Sequence, residues 1–193
     1  MKNSFKLLAI VGMCGSGKSI LAKELVGRGW KYLRFGQLTL DEVKKRGLAP
    51  TEKNEKEIRE ELRRNYGMAA FATLNIPKIE ELKKQGDVVL DGLYSWSEYR
   101  VLKEKYSEEL VVVAVYSPPA LRYTRLENRA GSHENDTQLI FRSVSASDAQ
   151  RRDAAEIENN EKGGPIAMAD FTLINTRDLP YLMGQIQEML ENI

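Results

Sequence analysis

Cysteine is almost missing from this chain. Cys14 is the single one among 193 residues, so no internal disulfide can form. A chain without such staples fits a reducing cytosol. Histidine is equally scarce. His133 stands alone, and with no partner ligands it is not expected to act as a metal ligand or base. An excess of one charge is missing too: 29 Lys and Arg against 28 Asp and Glu leave a net charge of +1. That excludes a dominant nucleic-acid footprint. No apolar run approaches the roughly 20 residues needed to cross a bilayer, so no membrane association is expected. The opening stretch MKNSFKLLAIVGMC puts basic residues before an apolar run. The run is short for a secretory signal and no A-x-A-like site follows it, so it reads as a buried strand. There are no repeats and no low-complexity linker. The length suits one domain, 1–193, with a possible insertion, and can bury roughly 70% of the unfolded surface.

Apolar strand-like runs alternate with helical patterns, which predicts an α/β fold with a parallel sheet covered by helices. The expected strands are Lys6–Val11, Trp30–Phe35, Asp87–Leu90, Leu110–Tyr116 and Phe171–Ile174. LVVVAVY at 110–116 is continuously apolar, as a central parallel strand should be. Residues 37–85 carry helical patterns and no strand signal. Ile58, Leu62 and Tyr66 recur at helical spacing, Thr51 offers a helix start, and Pro77 is expected to open a further short helix. The final helix carries a core stripe of Leu179, Leu182, Met183, Ile186, Met189 and Leu190. The segment 130–137 is polar and turn-prone, and reads as a mobile loop.

Gly12-Met13-Cys14-Gly15-Ser16-Gly17-Lys18-Ser19 matches G-x-x-x-x-G-K-[ST] in full, after an apolar strand and before an amphipathic helix. Such a loop cradles phosphates with its N–H groups and a helix N-terminus. Lys18 is placed to reach the β- and γ-phosphates and the Ser19 hydroxyl to ligate Mg²⁺. The expected ligand is therefore Mg·ATP. Cys14 reads as a filler residue in the loop rather than a nucleophile. VVLD ends a strand at Asp91, where an acid can hold Mg²⁺, usually through water. Arg122, Arg125 and Arg129 fall at i, i+3, i+7 on one helical face and lead into the polar loop. Arg125 and Arg129 are the candidates for meeting a transferring phosphoryl group, with Arg151 and Arg152 further on. Asn175-Thr176-Arg177-Asp178 faintly resembles a guanine-reading N-K-x-D, but no D-x-x-G switch follows the third strand. Asn175 is better read as a strand end and Asp178 as a helix cap.

The ordered set of segments resembles the dephospho-CoA-kinase-related branch of P-loop nucleotide kinases. GMCGSGKS is similar to its loop, and KKRGLAPTEKN with LRRNYGMAAFA to its helical insertion. VVLDGLYSWSEY is similar to its third strand, SPPALRYTRLENR to its lid approach, and RRDAAE with ADFTLIN to its closing segment. The resemblance implies a three-layer α/β/α core with five parallel strands (1–36, 86–129 and 165–193). It also implies an acceptor-side helical insertion at 37–85 and an arginine-bearing lid at 130–164. Arg63 falls where the family carries an arginine, which makes it the leading acceptor-phosphate contact, with Arg59 and Gln37 beside it. The family's G-D-x-x-R after the second strand is replaced by Gly36-Gln37-Leu38-Thr39-Leu40, and Leu93-Tyr94-Ser95 stands where nucleotide kinases often carry an arginine. The implied activity is a cytoplasmic kinase acting on a nucleotide-like small molecule. A regulatory or assembly ATPase acting on a protein partner is the alternative.

Overall fold

The computed structural model describes residues 5–128 and 145–193. The strands are β1 (Leu7–Val11), β2 (Lys31–Arg34), β3 (Val88–Asp91), β4 (Leu110–Tyr116) and β5 (Phe171–Ile174). They form one five-stranded sheet in the order β2-β3-β1-β4-β5, with every neighbouring pair parallel. The helices are α1 (Lys18–Gly27), α2 (Gln37–Lys45), α3 (Glu52–Tyr66), α4 (Ala70–Lys83), α5 (Trp96–Tyr106), α6 (Pro119–Glu127), α7 (Ala146–Asn160), α8 (Gly163–Ala167) and α9 (Leu179–Glu191). This is the three-layer α/β/α P-loop fold. No helix among the described residues is long and apolar enough to cross a membrane.

The alternation of side chains along β1 explains the layers. All five of its residues are buried. Leu7, Ala9 and Val11 point into one core with Phe71 and Ile79 of α4 and Leu102 of α5. Leu8 and Ile10 point into the other, with Leu21 and Leu25 of α1 and Leu182 and Ile186 of α9. A strand buried on both faces must be apolar at every position, which is why β1 and β4 read as continuous runs. Each fully buried aliphatic side chain adds roughly 1.5–3 kcal/mol.

Several helix starts follow from local chemistry. The Thr51 hydroxyl accepts from the Asn54 amide at 3.3 Å, and the Asp178 carboxylate accepts from the Tyr181 amide at 3.1 Å. Ser95 and Glu98 form a reciprocal capping box at the start of α5, satisfying two amides that the helix itself leaves unpaired. Pro77 does not open a helix as the sequence suggests. It lies inside α4, which begins at Ala70. An interior proline costs about 3 kcal/mol, but buried Phe71, Ala72 and Ile79 on both sides of it hold the helix together. The apolar stripe of α3 also ends earlier than expected: Ile58 is buried, while Tyr66 is 54% exposed. Leu179 of the expected α9 stripe is exposed as well.

Arg122 of α6 and Asp153 of α7 form a buried pair that joins two helices to the loop after β1. The guanidinium donates to both carboxylate oxygens, at 3.0 and 2.5 Å. It also donates to the Ser117 carbonyl at 3.0 Å and to the Cys14 carbonyl at 3.0 Å. Arg122→Leu should destabilise the protein by roughly 3–5 kcal/mol, because it leaves Asp153 buried without its partner. Arg122→Leu combined with Asp153→Leu should recover only part of that loss in urea unfolding at neutral pH, because the Ser117 and Cys14 carbonyls still lack the Arg122 donor. A single variant that unfolds like wild type would show that the pair does not join these helices.

Candidate functional site

The sheet order places β1 between β3 and β4, so the chain leaves its C-terminal end at the switch point where open α/β folds bind ligands. The loop Gly12–Ser19 sits there. A Cβ on Gly12 would stand 2.4 Å from the Val115 carbonyl oxygen, and one on Gly17 would stand 2.2 Å from Asn175 Nδ2. Both have positive φ, 139° and 105°, so no other residue fits at either place. The loop's carbonyls are bonded from behind. Lys18 Nζ donates to the Gly12 and Met13 carbonyls at 2.8 and 3.0 Å. The Ser16 carbonyl accepts from Asn175 Nδ2 at 2.8 Å and from the Ser117 hydroxyl at 3.2 Å. Burial, reinforced by the nearby Lys162 ammonium, pushes the Lys18 pKa down to about 8. A desolvated ammonium of this kind gains most from an anion partner.

Asp91 ends β3, level with Ile10 of β1. Its Oδ2 accepts from the Tyr32 hydroxyl at 2.8 Å. Burial and the Asp91 charge push the Tyr32 phenol far above its ordinary range, so it stays a donor. Tyr94 folds back across the same end. A Cβ on Gly92 would lie 2.8 Å from Tyr94 Oη, and one on Gly36 would lie 3.5 Å away. For Mg²⁺, the donor set offered here is the Ser19 hydroxyl and the Asp91 carboxylate. Among the described residues no group of three or more His, Cys, Asp or Glu could hold a metal ion. Two hard oxygen donors suit Mg²⁺, which usually keeps several waters and shares phosphate oxygens rather than filling an all-protein cage.

The predicted arginines separate into different environments. Arg125 donates to the Ser117 hydroxyl at 2.9 Å and to the Asn175 carbonyl at 3.1 Å, so it braces the loop from behind alongside Arg122. Arg129 lies outside the described residues, as do His133 and the loop at 130–137. Arg151 pairs with Asp148 on the surface. On α3, Arg59 is held by Glu52 at 2.6 Å and lies 3.6 Å from Glu55. Arg63 is half-buried, 5.5 Å from the Phe71 ring centroid, and its buried Nε has no hydrogen-bond partner. The Gln37 side chain donates to Asp41 at 2.9 Å, within its own helix.

Three groups that the sequence gave no reason to single out gather beside these. Lys162, 2% exposed, donates to Glu156 at 2.5 Å and lies 5.1 Å from the Tyr94 ring centroid. Glu156 is also 3.4 Å from Arg152. Burial opposes its ionisation, but Lys162, Arg152 and Lys18 together hold it below the usual carboxylate range. Glu98 is fully buried. One carboxylate oxygen accepts from the Tyr94 and Ser95 amides at 2.8 and 3.2 Å, while the other has no partner. Charges in the middle of a helical pattern read as solvated faces, and only the fold reveals which of them turn inward.

The sheet order, the loop and the acid on the adjacent strand define a class: a P-loop nucleotide-binding protein with a kinase-like fold. The chain belongs to the family described as an AAA domain, which matches residues 8–161, and to the UPF0200 proteins, of which the one from Thermococcus onnurineus (strain NA1) is 35% identical with 97% of each chain covered. Among solved structures it is similar to TT1252 from Thermus thermophilus, with a TM-score of 0.63, 19% identity and 97% of both chains covered. It is also similar to shikimate kinase from Bacteroides thetaiotaomicron, with a TM-score of 0.58, 14% identity and 97% and 98% covered. At these identities the structural likeness shows the fold.

Glu98 generates a pH prediction. Burial raises its pKa to about 7, against the pull of the Tyr94 and Ser95 amides, Arg63 and Lys162. Between about 4.5 and 7 the folded state therefore holds a proton that the unfolded state has lost, so stability falls as pH rises through that window. The fall should amount to about 2–3 kcal/mol between pH 5 and 8. Glu98→Gln should flatten this part of the stability profile in denaturant unfolding. A profile as steep as that of wild type would assign the pH dependence elsewhere.

Proposed function

We propose that this chain is a kinase. It binds Mg·ATP on the loop Gly12–Ser19 and moves the γ-phosphate to a small phosphate-bearing, nucleotide-like acceptor, such as a nucleoside monophosphate or dephospho-CoA. One observation carries the reading. A phosphate loop carries a desolvated lysine at the C-terminal end of the sheet, and the half-buried Arg63, with its unpartnered Nε, feels the charges of Glu98 and Tyr94 on the turn that follows β3. The small-molecule kinase fold seen in shikimate kinase supports it. The resemblance of 37–85 to the acceptor insertion of dephospho-CoA-kinase-related proteins supports the acceptor class.

Phosphoryl transfer is catalysed almost entirely by positioning and by positive charge. The loop amides and the α1 N-terminus would hold the β- and γ-phosphates, with Lys18 leaving its own carbonyls to bridge them. Bound Mg²⁺ would neutralise phosphate charge, with Ser19 and Asp91 as its protein-side donors and Tyr32 fixing the Asp91 carboxylate. Arg63 would anchor the acceptor phosphate with its guanidinium. Arg125 would act through the loop that it braces, and Arg129 would bring charge from the segment beyond α6. A regulatory ATPase acting on a protein partner is the second reading. It is favoured by the Gln37 side chain being engaged with Asp41 and by Tyr94 standing where kinases often carry an arginine.

Incubation with Mg·ATP and a panel of nucleoside monophosphates and dephospho-CoA should show one acceptor stimulating ADP formation strongly. Lys18→Ala should lower turnover on the order of 10²-fold or more. Arg63→Ala should raise the Michaelis constant for that acceptor about tenfold while leaving that for ATP nearly unchanged. If the panel yields only acceptor-independent hydrolysis, the kinase reading fails and the ATPase reading replaces it.

A further inference from the structure

Lys162 belongs to no part of the P-loop pattern, yet its surroundings are built to hold it. It follows Glu161, which occupies the left-handed region at φ 52° and ψ 37°. That conformation is strained for a residue with a Cβ, and it persists only where packing enforces it. The packing is visible on the next turn. A Cβ on Gly164 would come within 2.9 Å of the Trp96 ring, so the backbone of α8 lies directly on the start of α5. The Lys162 amide is tied to the Glu156 carbonyl at 3.2 Å. The result is an ammonium 2% exposed, seated over the Tyr94 ring, which itself lies against Gly92 beside Asp91.

A buried lysine is normally neutralised by its partner, and Glu156 partly serves that role at 2.5 Å. Glu156 is shared, however, with Arg152 at 3.4 Å. The field of Lys162 also reaches Lys18, where it helps to lower the pKa of the loop lysine. Two ammonium groups that repel each other beside a phosphate-binding loop are stabilised together by an anion that reaches both. A carboxylate bound to only one of them does this incompletely.

We propose that Lys162 is a second phosphate-binding lysine, held over the loop Gly12–Ser19 by Glu156, and that it meets the terminal phosphate of a bound nucleoside triphosphate. Glu156 and that phosphate then compete for the same ammonium. The loop amides and Lys18 serve the β- and γ-phosphates, and Lys162 adds a contact to the γ-phosphate that a diphosphate cannot offer, so Lys162 distinguishes a triphosphate from a diphosphate. This assignment rests on the nucleotide-binding reading above and adds a specificity determinant to it.

The test is calorimetric titration of the intact protein with ADP and with a non-hydrolysable ATP analogue, each with Mg²⁺. Wild type should prefer the triphosphate. Lys162→Met should lose about tenfold of that preference, with ADP binding nearly unchanged. Glu156→Gln should change triphosphate affinity in the opposite direction, tightening it, because the competitor is removed. Should Lys162→Met fold poorly around an unpaired Glu156, the double variant Lys162→Met/Glu156→Gln removes both charges and should show the same lost preference. If the preference survives in the folded variants, or if Lys162→Met and Glu156→Gln weaken both nucleotides alike, Lys162 is structural and this proposal is overturned while the nucleotide site stands. If wild type binds neither nucleotide, the nucleotide reading falls and this proposal with it.

Discussion

The structure depends on how the loop after β1 satisfies its own backbone. To present amides to a phosphate, the loop must turn its carbonyls the other way, into the protein, where an unpaired carbonyl is expensive. Four of these carbonyls are met by specific side chains. Lys18 takes Gly12 and Met13, Arg122 takes Cys14, and Ser117 with Asn175 takes Ser16. Those side chains come from α1, α6, the end of β4 and the end of β5. The loop is thus the point at which the central strand, both flanking layers and the last strand are registered against one another. Arg125 extends the same brace to Asn175.

A second constraint is the balance of charge around the loop. Lys18, Arg152 and Lys162 are gathered by the fold, and the acids near them are Asp91, Glu156 and Glu98. Glu98 is protonated through much of the acidic range because burial disfavours its ionised form. Glu156 stays ionised because three cations outweigh its burial. Glu98 on α5 and Glu156 on α7 both feel the Lys162 charge, yet their environments push them in opposite directions. Below neutral pH the region carries an excess of positive charge, which is the condition that favours a polyphosphate anion.

What could be read from the sequence follows from how local each signal is. The loop 12–19 is a contiguous motif whose glycines are required by contacts as close as 2.2 Å, so a string of eight residues contains it. Strands β1 and β4 are readable because burial on both faces forces an unbroken apolar run, and the boundaries expected for all five strands differ from the observed ones by a residue or so. Pro77 misled because tertiary packing on both sides of it overrides a local helix breaker. Tyr32 and Lys162 carry no local signal, and Glu98 carries only that of a helix capping box. Each sits in a charged or alternating stretch, and each acquires its surroundings only when a distant segment is laid against it: β2 on β3, α4 on α5, α8 on Trp96. Arg122 and Arg125 do share α6, while Arg129 lies outside the described residues, and spacing does not say whether a face meets solvent, ligand or the back of a loop.

The same reasoning explains why the fold identifies the nucleotide loop more firmly than the function of α2 and α3. Every strand contributes to one core or the other, so a sequence that changes there loses the sheet. Helices α2 and α3 bury only Thr39, Val43, Glu55 and Ile58 between them. Apart from Leu38 and Leu62, which pack partly buried against the core, their remaining side chains can change with little effect on it. A fold shared with shikimate kinase at 14% identity is therefore what buried strands and a glycine-bound loop enforce, while α2 and α3 are free to be shaped by whatever they hold. The fixed point on that side is the turn at Tyr94–Glu98, locked by a buried capping box and by the Ser95 hydroxyl donating to the Met68 carbonyl at 3.3 Å. Arg63 is set against this rigid turn rather than against the surface acids that occupy Arg59, and that is the physical difference between the two arginines of α3.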